Sequence, residues 1–319
     1  MSDARLCVLG SIIMDHVVRA PRLPAPGETI LGGPLTLFPG GKGANQAVAA
    51  ARLGAEVAMI GAMGADEPGR VLLGELAAAG VATRAIRIVP DAPTGAAFIT
   101  VADGGQNTIV VVPGANALVT PDSARSAREV IAHADVLLLQ LELPIETMLA
   151  AVALAGDVGT PVLLNAAPGR HLPVELVSRV ETLVVNEVEA GIVLGLGRAV
   201  AADDIPLVLD RLIALGPSTA VITLGDRGAA FRHAREEPGH VPAFKVDAID
   251  AVGAGDAFTA ALAVRLVEHR ISARIDRMAV LDAVCWGCAA GALATTTPGA
   301  MPALPRRADV LTLLRGQGG

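Results

Sequence analysis

The sequence predicts an α/β protein with a doubly wound, mostly parallel sheet flanked by helices and a small β-sheet lid. The main observation is that short apolar runs alternate with helical segments from residue 120 onward, which is typical of parallel strands joined by helical crossovers. A second observation is a region near the N-terminus that is rich in Pro and Gly and carries short β-prone runs. Over 319 residues without an internal repeat, we expect one domain, with lid strands from about 12–38 and 94–113.

Composition and charge narrow the classes of partner. Hydrophobic residues make up 52% of the chain, but five Phe, one Trp and no Tyr leave a core of Ala, Val, Leu and Ile. This composition argues against stacking on nucleobases. The net charge of -7, with no Lys/Arg cluster beyond Arg306 and Arg307, argues against a nucleic-acid partner.

Two stretches bear on location. The first residues lack the apolar stretch and cleavage site of a signal peptide, so we expect a cytoplasmic protein. The uncharged run at residues 283–305 is interrupted by Gly and Pro, which favours a buried helix followed by a loop over a membrane span.

The predicted elements follow in order. Strands are expected at residues 5–9, 56–61, 85–89, 136–139, 162–164, 183–185 and 220–223. Helices are expected from about residue 42 to 53, after a Thr120 cap with Pro121 at the first position, and at residues 67–79, 145–155, 173–180 and 257–269. In the lid, residues 28–31, 35–38, 95–101 and 108–112 are β-prone, and the last two runs are joined by a hairpin signal at residues 103–105.

Polar residues follow three of the strands at the predicted ligand edge of the sheet. Asp15 lies a few residues past the first strand, Glu142 follows the strand at 136–139, and Asn186 and Glu189 follow the strand at 183–185. The carboxyl ends of parallel strands are where ligands bind in open α/β sheets. For Asp15 alone, a turn or cap residue and a substrate ligand are equally good interpretations.

A glycine-rich segment, residues 40–45, precedes the first long helix and carries Lys42 and Asn45. It lacks the Walker spacing of a P-loop. Lys and Asn at a glycine-lined helix start offer donors and acceptors for sugar hydroxyls. A surface loop is the alternative.

The segment from Asp250 to Asp256 is the centre of the prediction. Gly253, Ala254 and Gly255 stand where an extended run, residues 244–249, gives way to a helix, so their backbone N–H groups are expected to form an anion site. Asp256 in the first turn could take a proton from an attacking hydroxyl. A tight turn with an acidic residue at the helix start is an equally good interpretation of this motif alone.

Cys285 and Cys288 form a Cys-x-x-Cys pair on an apolar helix. A redox pair or half of a zinc site would need a basic neighbour or a second Cys/His pair, and the sequence offers neither. We therefore favour two buried thiols.

Taken in order, the motifs resemble the ribokinase/PfkB family of carbohydrate kinases, from about Leu6 to Pro305. The residues that carry the resemblance are Gly10-Ser11 with Asp15, Pro26 to Thr29, Gly40 to Ala47, Pro113 to Asn116, Gln140 to Glu142, Asn186 with Glu189, Thr223 to Gly225, and Gly253 to Asp256.

The resemblance implies an ATP-dependent kinase that phosphorylates D-ribose at its 5-hydroxyl. We also expect a homodimer through the lid, because a small sheet with exposed edges gains by pairing. The resemblance further implies that Asp256 is the base and that Gly253, Ala254 and Gly255 form the anion hole. The positions that match sugar ligands are Asp15, Gly41, Lys42, Asn45 and Glu142. The positions that match the ATP site are Asn186, Thr223, Gly225, Gly228 and Gly255.

The resemblance also implies Mg2+ with ATP, handled by Glu189 through water, and K+ as a monovalent activator. The positions that match the K+ site are Asp250, Val252, Ala294, Thr297 and Gly299. Ala303 replaces a family residue that can offer a hydroxyl, so water is expected in its place.

Three positions depart from the family pattern. Ile13 replaces an Asn that contacts the sugar, Ala251 replaces a Thr, and Gly287 or Cys288 falls near the residue that touches adenine. Ile13 motivates a second possibility, a kinase for deoxyribose, fructose or adenosine. A non-catalytic sugar-binding protein is a further alternative, and a nicotinamide-dependent dehydrogenase is disfavoured because no Gly-x-Gly-x-x-Gly follows the first strand.

Overall fold

The computed structural model describes residues 4–272 and 275–316. Its strands are β1 Arg5–Leu9, β2 Ile13–Ala20, β3 Leu35–Gly40, β4 Glu56–Gly64, β5 Ala82–Val89, β6 Gly95–Ala102, β7 Asn107–Val112, β8 Val136–Leu139, β9 Val162–Asn165, β10 Thr182–Asn186, β11 Thr219–Thr223, β12 Ala229–His233 and β13 Gly239–Val241. Its α-helices are α1 Lys42–Arg52, α2 Glu67–Ala78, α3 Pro121–Ser126, α4 Arg128–Ala132, α5 Ile145–Val158, α6 Val174–Val177, α7 Glu187–Val193, α8 Ile205–Ala214, α9 Ala254–Ser272, α10 Arg277–Ala294 and α11 Arg307–Gly316.

The large sheet confirms the predicted fold class. Within the described residues its strand order is β13-β12-β11-β10-β9-β8-β1-β4-β5. The pairs from β5 to β11 are parallel, whereas β11 with β12 and β12 with β13 are antiparallel. The chain proceeds outward from β1 in one direction and then from β8 in the other, so the strand order reverses between β1 and β8. A crevice forms at the carboxyl ends of strands at such a point.

The two faces of this sheet are covered by different helices. Leu6 and Val8 of β1 face one apolar core, which includes buried residues of α1, α2, α9, α10 and α11. Cys7 and Leu9 face the other core, which includes buried residues of α3 to α8. This alternation follows from the two-residue side-chain period of a strand, and it explains why the parallel strands read as continuous apolar runs.

The small sheet has the strand order β3-β2-β6-β7 in the described residues. The hairpin between β6 and β7 forms as predicted, with Gly105 at φ +81° in its turn. Residues 28–31 do not form a strand, which corrects the prediction for that run. Instead, the N–H of Glu28 donates to Ala25 O and the N–H of Ala25 donates to the Glu28 carboxylate, in a turn that contains Gly27 at φ +81°. This turn leads the segment away from strand pairing.

Two further predictions need correction. Residues 242–250 are irregular, not a strand, so α9 is preceded by a loop. The helix predicted at 173–180 is only the short α6. Helix α10 is long and apolar enough by length and composition to cross a membrane, but 56% of that window is buried inside the fold, as in a core helix.

Candidate active site

Asp256 lies in the first turn of α9 and is only 6% exposed. Both of its carboxylate oxygens accept hydrogen bonds. Asn45 Nδ2 donates to Oδ2 and Gln46 Nε2 donates to Oδ1, each over 2.9 Å. Both donors stand on α1, so the packing of α1 against α9 sets the direction of the carboxylate. A general base needs such a fixed direction toward its proton.

The turn before α9 presents backbone N–H groups. Gly253 has φ +81°, a conformation that favours glycine, and the helix begins at the next residue. The N–H groups of Gly255 and Asp256 donate no hydrogen bond to the described residues, whereas the N–H of Ala254, which was predicted to belong to the anion site, donates to Ala251 O over 3.3 Å. Beyond its chain neighbours, a Cβ at Gly255 would meet no heavy atom within 4 Å. These groups and the helix dipole together make the turn suitable for an anion.

A pocket of about 540 Å³, counted with its open mouth, lies in front of this turn. The sequence-predicted residues that line it are Lys42, Asn186, Glu189, Thr223, Gly253, Gly255 and Asp256. The structure therefore brings the anion turn, the candidate base and the residues predicted to handle phosphates to one place.

Helix α1 begins beside the pocket, but its first N–H groups are already used. The N–H of Lys42 donates to Glu142 Oε2 over 3.1 Å, and the N–H of Ala44 donates to Ser11 O over 2.9 Å. Ser11 Oγ also donates to Glu142 Oε2. Glu142 thus caps α1 at the reversal between β1 and β8. Gly41 has φ +90°, and a Cβ there would lie 2.8 Å from Ile13 N, so glycine is required where this turn meets β2.

Asp15 on β2 faces the same crevice. A Cβ at Gly40 would lie 2.4 Å from Asp15 Oδ2, which shows how closely the carboxyl packs on β3. The pKa of Asp15 is raised to about 7, mainly by burial and then by the charges of Glu142 and Asp256, while the charge of Lys42 opposes the shift.

The Lys42 side chain is surrounded by negative charge. Burial by itself would lower its pKa, but the carboxylates of Asp256, Glu142, Glu189 and Asp15 outweigh burial and the pKa is raised. The ammonium group therefore remains charged at neutral pH and offsets the repulsion between these carboxylates and a bound anion.

Asn186 and Glu189 form a capping box at the start of α7. Glu189 N–H donates to Asn186 Oδ1 over 2.8 Å, and Asn186 N–H donates to Glu189 Oε2 over 2.8 Å. Burial raises the pKa of Glu189 despite the hydrogen bond from Asn186, which lowers it. The box holds both side chains at the wall of the pocket.

The remaining residues assigned to the nucleotide follow β11. Thr223 ends the strand and lines the pocket. Gly225 and Gly228 shape the next turn, and neither lines the pocket within the described part of the chain. Gly228 has φ +91°, and a Cβ there would lie 2.0 Å from Val241 O, so the approach of β13 requires glycine.

Two of the predicted cation residues, Val252 and Gly299, contact the Asp250 carboxylate. Its Oδ1 accepts the N–H of Val252 over 3.0 Å, and its Oδ2 accepts the N–H of Gly299 over 2.9 Å. One carboxylate therefore joins the loop before α9 to the loop after α10. Ala294 ends α10 and Thr297 lies in the loop that follows.

The structure also describes the departures from the family pattern. Ile13 is 3% exposed and packs in a small apolar cluster with Ala97 and Ile99, so it makes no polar contact at the crevice. A Cβ at Gly287 would lie 2.8 Å from the Phe258 ring, so this ring occupies the space next to Gly287. Ala251 lines the pocket.

The two helical cysteines differ in exposure. Cys288 is buried, its Sγ is 3.9 Å from Val241 O, and burial raises its pKa to about 12. Cys285 is only half-buried, so the prediction of two buried thiols is correct for Cys288 and wrong for Cys285. Burial and the nearby Asp282 charge raise the pKa of Cys285 as well. No group of three or more His, Cys, Asp and Glu residues suited to a metal occurs among the described residues.

Three polar residues near Asp256 were not singled out from the sequence: Gln46, Asn165 and Gln140. Asn165 ends β9 and lines the pocket. The rule that selected Glu142 and Asn186, a polar residue at the end of a parallel strand, would have found Asn165 as well. Gln46 and Gln140 lie in motifs that carried the family resemblance, but periodicity gives them no role.

Comparisons with known proteins agree with this geometry. The family model described as pfkB family carbohydrate kinase matches residues 3–307. Ribokinase of Bacillus subtilis (strain 168) is 39% identical over 309 residues, covering 97% of this chain and 99% of that protein. Deoxyribokinase of Salmonella typhi is 34% identical over 254 residues, covering 79% of this chain and 82% of that protein. The structure of Arabidopsis thaliana ribokinase complexed with ribose and ATP has a TM-score of 0.87 and 31% identity, and 99% of each chain is covered.

Proposed function

The chain belongs to the pfkB family of carbohydrate kinases, and we propose that it transfers the γ-phosphoryl group of ATP to the 5-hydroxyl of D-ribose. The products are D-ribose 5-phosphate and ADP. The ribokinase relatives support the substrate, and the observation that carries the chemistry is the position of Asp256. Its carboxylate is buried, held at both oxygens, and stands in the first turn of α9, directly after Gly255.

Asp256 is proposed as the general base that takes the proton of the sugar hydroxyl. The hydroxyl oxygen then attacks the phosphoryl group, and the bond to the ADP oxygen breaks on the opposite side. Charge on the transferred group is stabilised by the N–H groups of Gly255 and Asp256 in the turn formed by Gly253, Ala254 and Gly255, and by the ammonium of Lys42. Glycine at 255 leaves room for the group to approach the backbone.

Sugar binding is assigned to Asp15, Gly41, Lys42, Asn45 and Glu142. Asn45 supports this assignment with a specific feature, because its Oδ1 is buried and has no hydrogen-bond partner among the described residues. A buried acceptor without a partner is costly, and a sugar hydroxyl would satisfy it. Asp15 and Glu142 offer further acceptors for hydroxyl groups.

ATP binding is assigned to Asn186, Thr223, Gly225, Gly228 and Gly255. An ATP-using kinase needs a divalent metal, and we propose Mg2+ near Glu189. Mg2+ keeps several waters and is bound mainly by phosphate oxygens, which fits a part of the pocket wall where the Glu189 carboxylate stands beside the Asn186 amide. When bound, the ion neutralises phosphate charge.

A monovalent cation, K+, is proposed beside the anion turn. The donor set is the Asp250 carboxylate with backbone carbonyls of Val252, Ala294, Thr297 and Gly299. Asp250 already joins the loops that carry Val252 and Gly299, so the donors share one region. Oxygen donors suit such an ion, whose charge would add to the positive potential of the turn.

The deoxyribokinase relative and Ile13 favour one alternative substrate, 2-deoxy-D-ribose. A sugar without the 2-hydroxyl needs one polar contact fewer, and Ile13 supplies an apolar surface at the position where the family pattern has Asn. Comparing kcat/KM for ribose and deoxyribose with wild type and Ile13→Asn separates the two. We expect ribose to be preferred by wild type and more strongly by the variant.

The experiment that tests the function is ADP release by the purified protein with ATP, Mg2+ and K+, with and without D-ribose. We expect ribose-dependent release, and Asp256→Asn should lower kcat by at least roughly 100-fold while ribose binding persists. Absence of release with ribose, deoxyribose, fructose and adenosine would favour a non-catalytic sugar-binding protein. Near-normal turnover in the variant would remove Asp256 from its role.

We also propose a cytoplasmic homodimer that forms through the small sheet. All residues of β7 are exposed, and so are Leu35 and Leu37 on β3 and Phe98 on β6. An apolar sheet with an open edge gains by pairing with a second copy.

A further inference from the structure

A chain of buried side-chain amides leads from the centre of the large sheet to the Asp256 carboxylate. Gln140 follows β8, Gln46 stands on α1 and Asn165 ends β9, and all three are buried. Gln140 Nε2 donates to Gln46 Oε1 over 2.6 Å. Gln46 Nε2 donates both to Asn165 Oδ1 over 3.0 Å and to Asp256 Oδ1 over 2.9 Å.

The direction of these hydrogen bonds follows from chemistry at the ends of the chain. Asn165 Nδ2 donates to Val184 O over 3.4 Å, and a carbonyl can only accept, so Asn165 must turn its oxygen to Gln46. Gln46 therefore presents its amide nitrogen to both Asn165 and Asp256. Its oxygen then faces Gln140, which must donate.

Gln140 is held in this orientation at a cost. Its Oε1 is buried and has no hydrogen-bond partner in the part of the chain that the structure describes. A Cβ at Gly10 would lie 2.1 Å from that oxygen, so the absence of a side chain at position 10 makes room for it. A buried amide with an unpaired oxygen destabilises a fold unless its donor is needed elsewhere.

We propose that Gln46, oriented by Gln140 and Asn165, is a positioning residue for Asp256. It binds Oδ1 and turns Oδ2, which Asn45 contacts, toward the sugar hydroxyl as the proton-accepting oxygen. Gln46 is fully buried and is not among the described residues that line the pocket, so we expect it to act through Asp256 and not on the substrate itself. This inference rests on the proposed role of Asp256 as the base.

The test uses Gln46→Met and Gln140→Met in wild type and in Asp256→Ala. Met fills a similar volume without the amide. We expect Gln46→Met to lower kcat by about 10- to 100-fold, as loss of a hydrogen bond to a charged group implies, with KM for ATP unchanged. Gln140→Met should lower kcat less, because Gln46 loses its orientation but keeps its donor.

The decisive readout is the background that lacks the base. In Asp256→Ala, adding Gln46→Met should change the residual kcat by less than about twofold, because a residue that acts through Asp256 has no effect without it. An equal fold-loss in both backgrounds would mean a general structural role and overturn the proposal. A wild-type kcat in Gln46→Met would also overturn it.

Folding and function are kept apart by controls. Thr147→Val removes a different buried hydrogen bond, from Thr147 Oγ1 to Val119 O, away from the pocket, and should lower Tm without lowering kcat. Gln140→Met leaves the number of unpaired buried acceptors unchanged, because the unpaired Gln140 oxygen is removed and the Gln46 oxygen loses its donor. This variant therefore serves as the test if Gln46→Met does not fold. A full-rate Asp256→Ala would instead refute the proposed base and leave no carboxylate to position.

Discussion

Substitutions at two glycines of the anion turn, Gly253 and Gly255, should affect stability and catalysis differently. Gly253 has φ +81°, and a Cβ there would lie 2.9 Å from Ala300 Cα, a backbone atom that cannot move aside easily. A Cβ at Gly255, by contrast, would have open space around it. Alanine at 253 should therefore strain the folded chain, whereas alanine at 255 should fit into it.

The magnitudes follow from this geometry. In Gly253→Ala the left-handed backbone costs about 1–2 kcal/mol, and the close contact raises the total loss in unfolding free energy to about 2–4 kcal/mol. For a chain of this length this corresponds to a fall in Tm of roughly 3–6 °C. Gly255→Ala should keep Tm or raise it slightly, since alanine favours a helix by about 0.5–1 kcal/mol.

Catalysis should respond in the opposite way to stability. The methyl group of Gly255→Ala stands where a phosphoryl group would approach the N–H of residue 255, so we expect kcat to fall by about 100-fold, comparable to loss of one anion-hole donor. Thermal unfolding and ADP-release kinetics on both variants test this. A wild-type kcat in Gly255→Ala, or equal losses of Tm in the two variants, would refute the assignment of this turn.

Three further predictions concern titration, cation and assembly. The pKa of Asp15 is raised to about 7, first by burial and then by neighbouring charge. The KM for ribose should therefore fall as the pH rises from 6 to 8, because the ionised carboxylate accepts hydrogen bonds from hydroxyl groups better. A pH-independent KM in wild type, or the same pH dependence in Asp15→Asn, would contradict this. The same group stabilises the unliganded fold at low pH, and that stabilisation is lost as the pH rises through about 7. Turnover should be faster in K+ than in Na+, and Asp250→Asn should remove the difference; equal rates in wild type would count against the cation site. Light scattering at micromolar concentration should give a dimer that Val110→Lys on β7 converts to a monomer, whereas the equally exposed Leu207→Lys on α8 should leave the mass unchanged; a wild-type monomer would refute the interface.

The sequence predicted the large sheet well because each strand is an apolar run with helical segments on either side. It predicted less where an element depends on a partner strand. Residues 28–31 are β-prone, but the salt bridge between Arg22 and Glu28 and the turn at Gly27 place the segment away from a ladder. Residues 244–249 alternate like a strand, yet the structure describes them as irregular.

The sequence predicted those residues of the candidate site whose place follows from the end of a strand or the start of a helix. The anion turn follows from glycine spacing and the start of a helix, and Glu142 and Asn186 follow from the ends of strands. The partnership between Gln46 and Gln140 was not predictable, because it joins residues 94 positions apart through side chains of separate elements. Periodicity identifies buried positions, but it does not say which buried amides meet.

The distance in sequence between the two sides of the site has a consequence for how the enzyme matures. Asn45 and Gln46 reach Asp256 across 211 and 210 residues. During synthesis α1, which carries residues proposed to bind the sugar, is made long before the proposed base, so we expect no activity until α9 has packed against α1. Such long-range contacts close late because they carry the largest loop-closure entropy. Recovery of activity after dilution from denaturant therefore reports completion of the whole domain, not the formation of any local part.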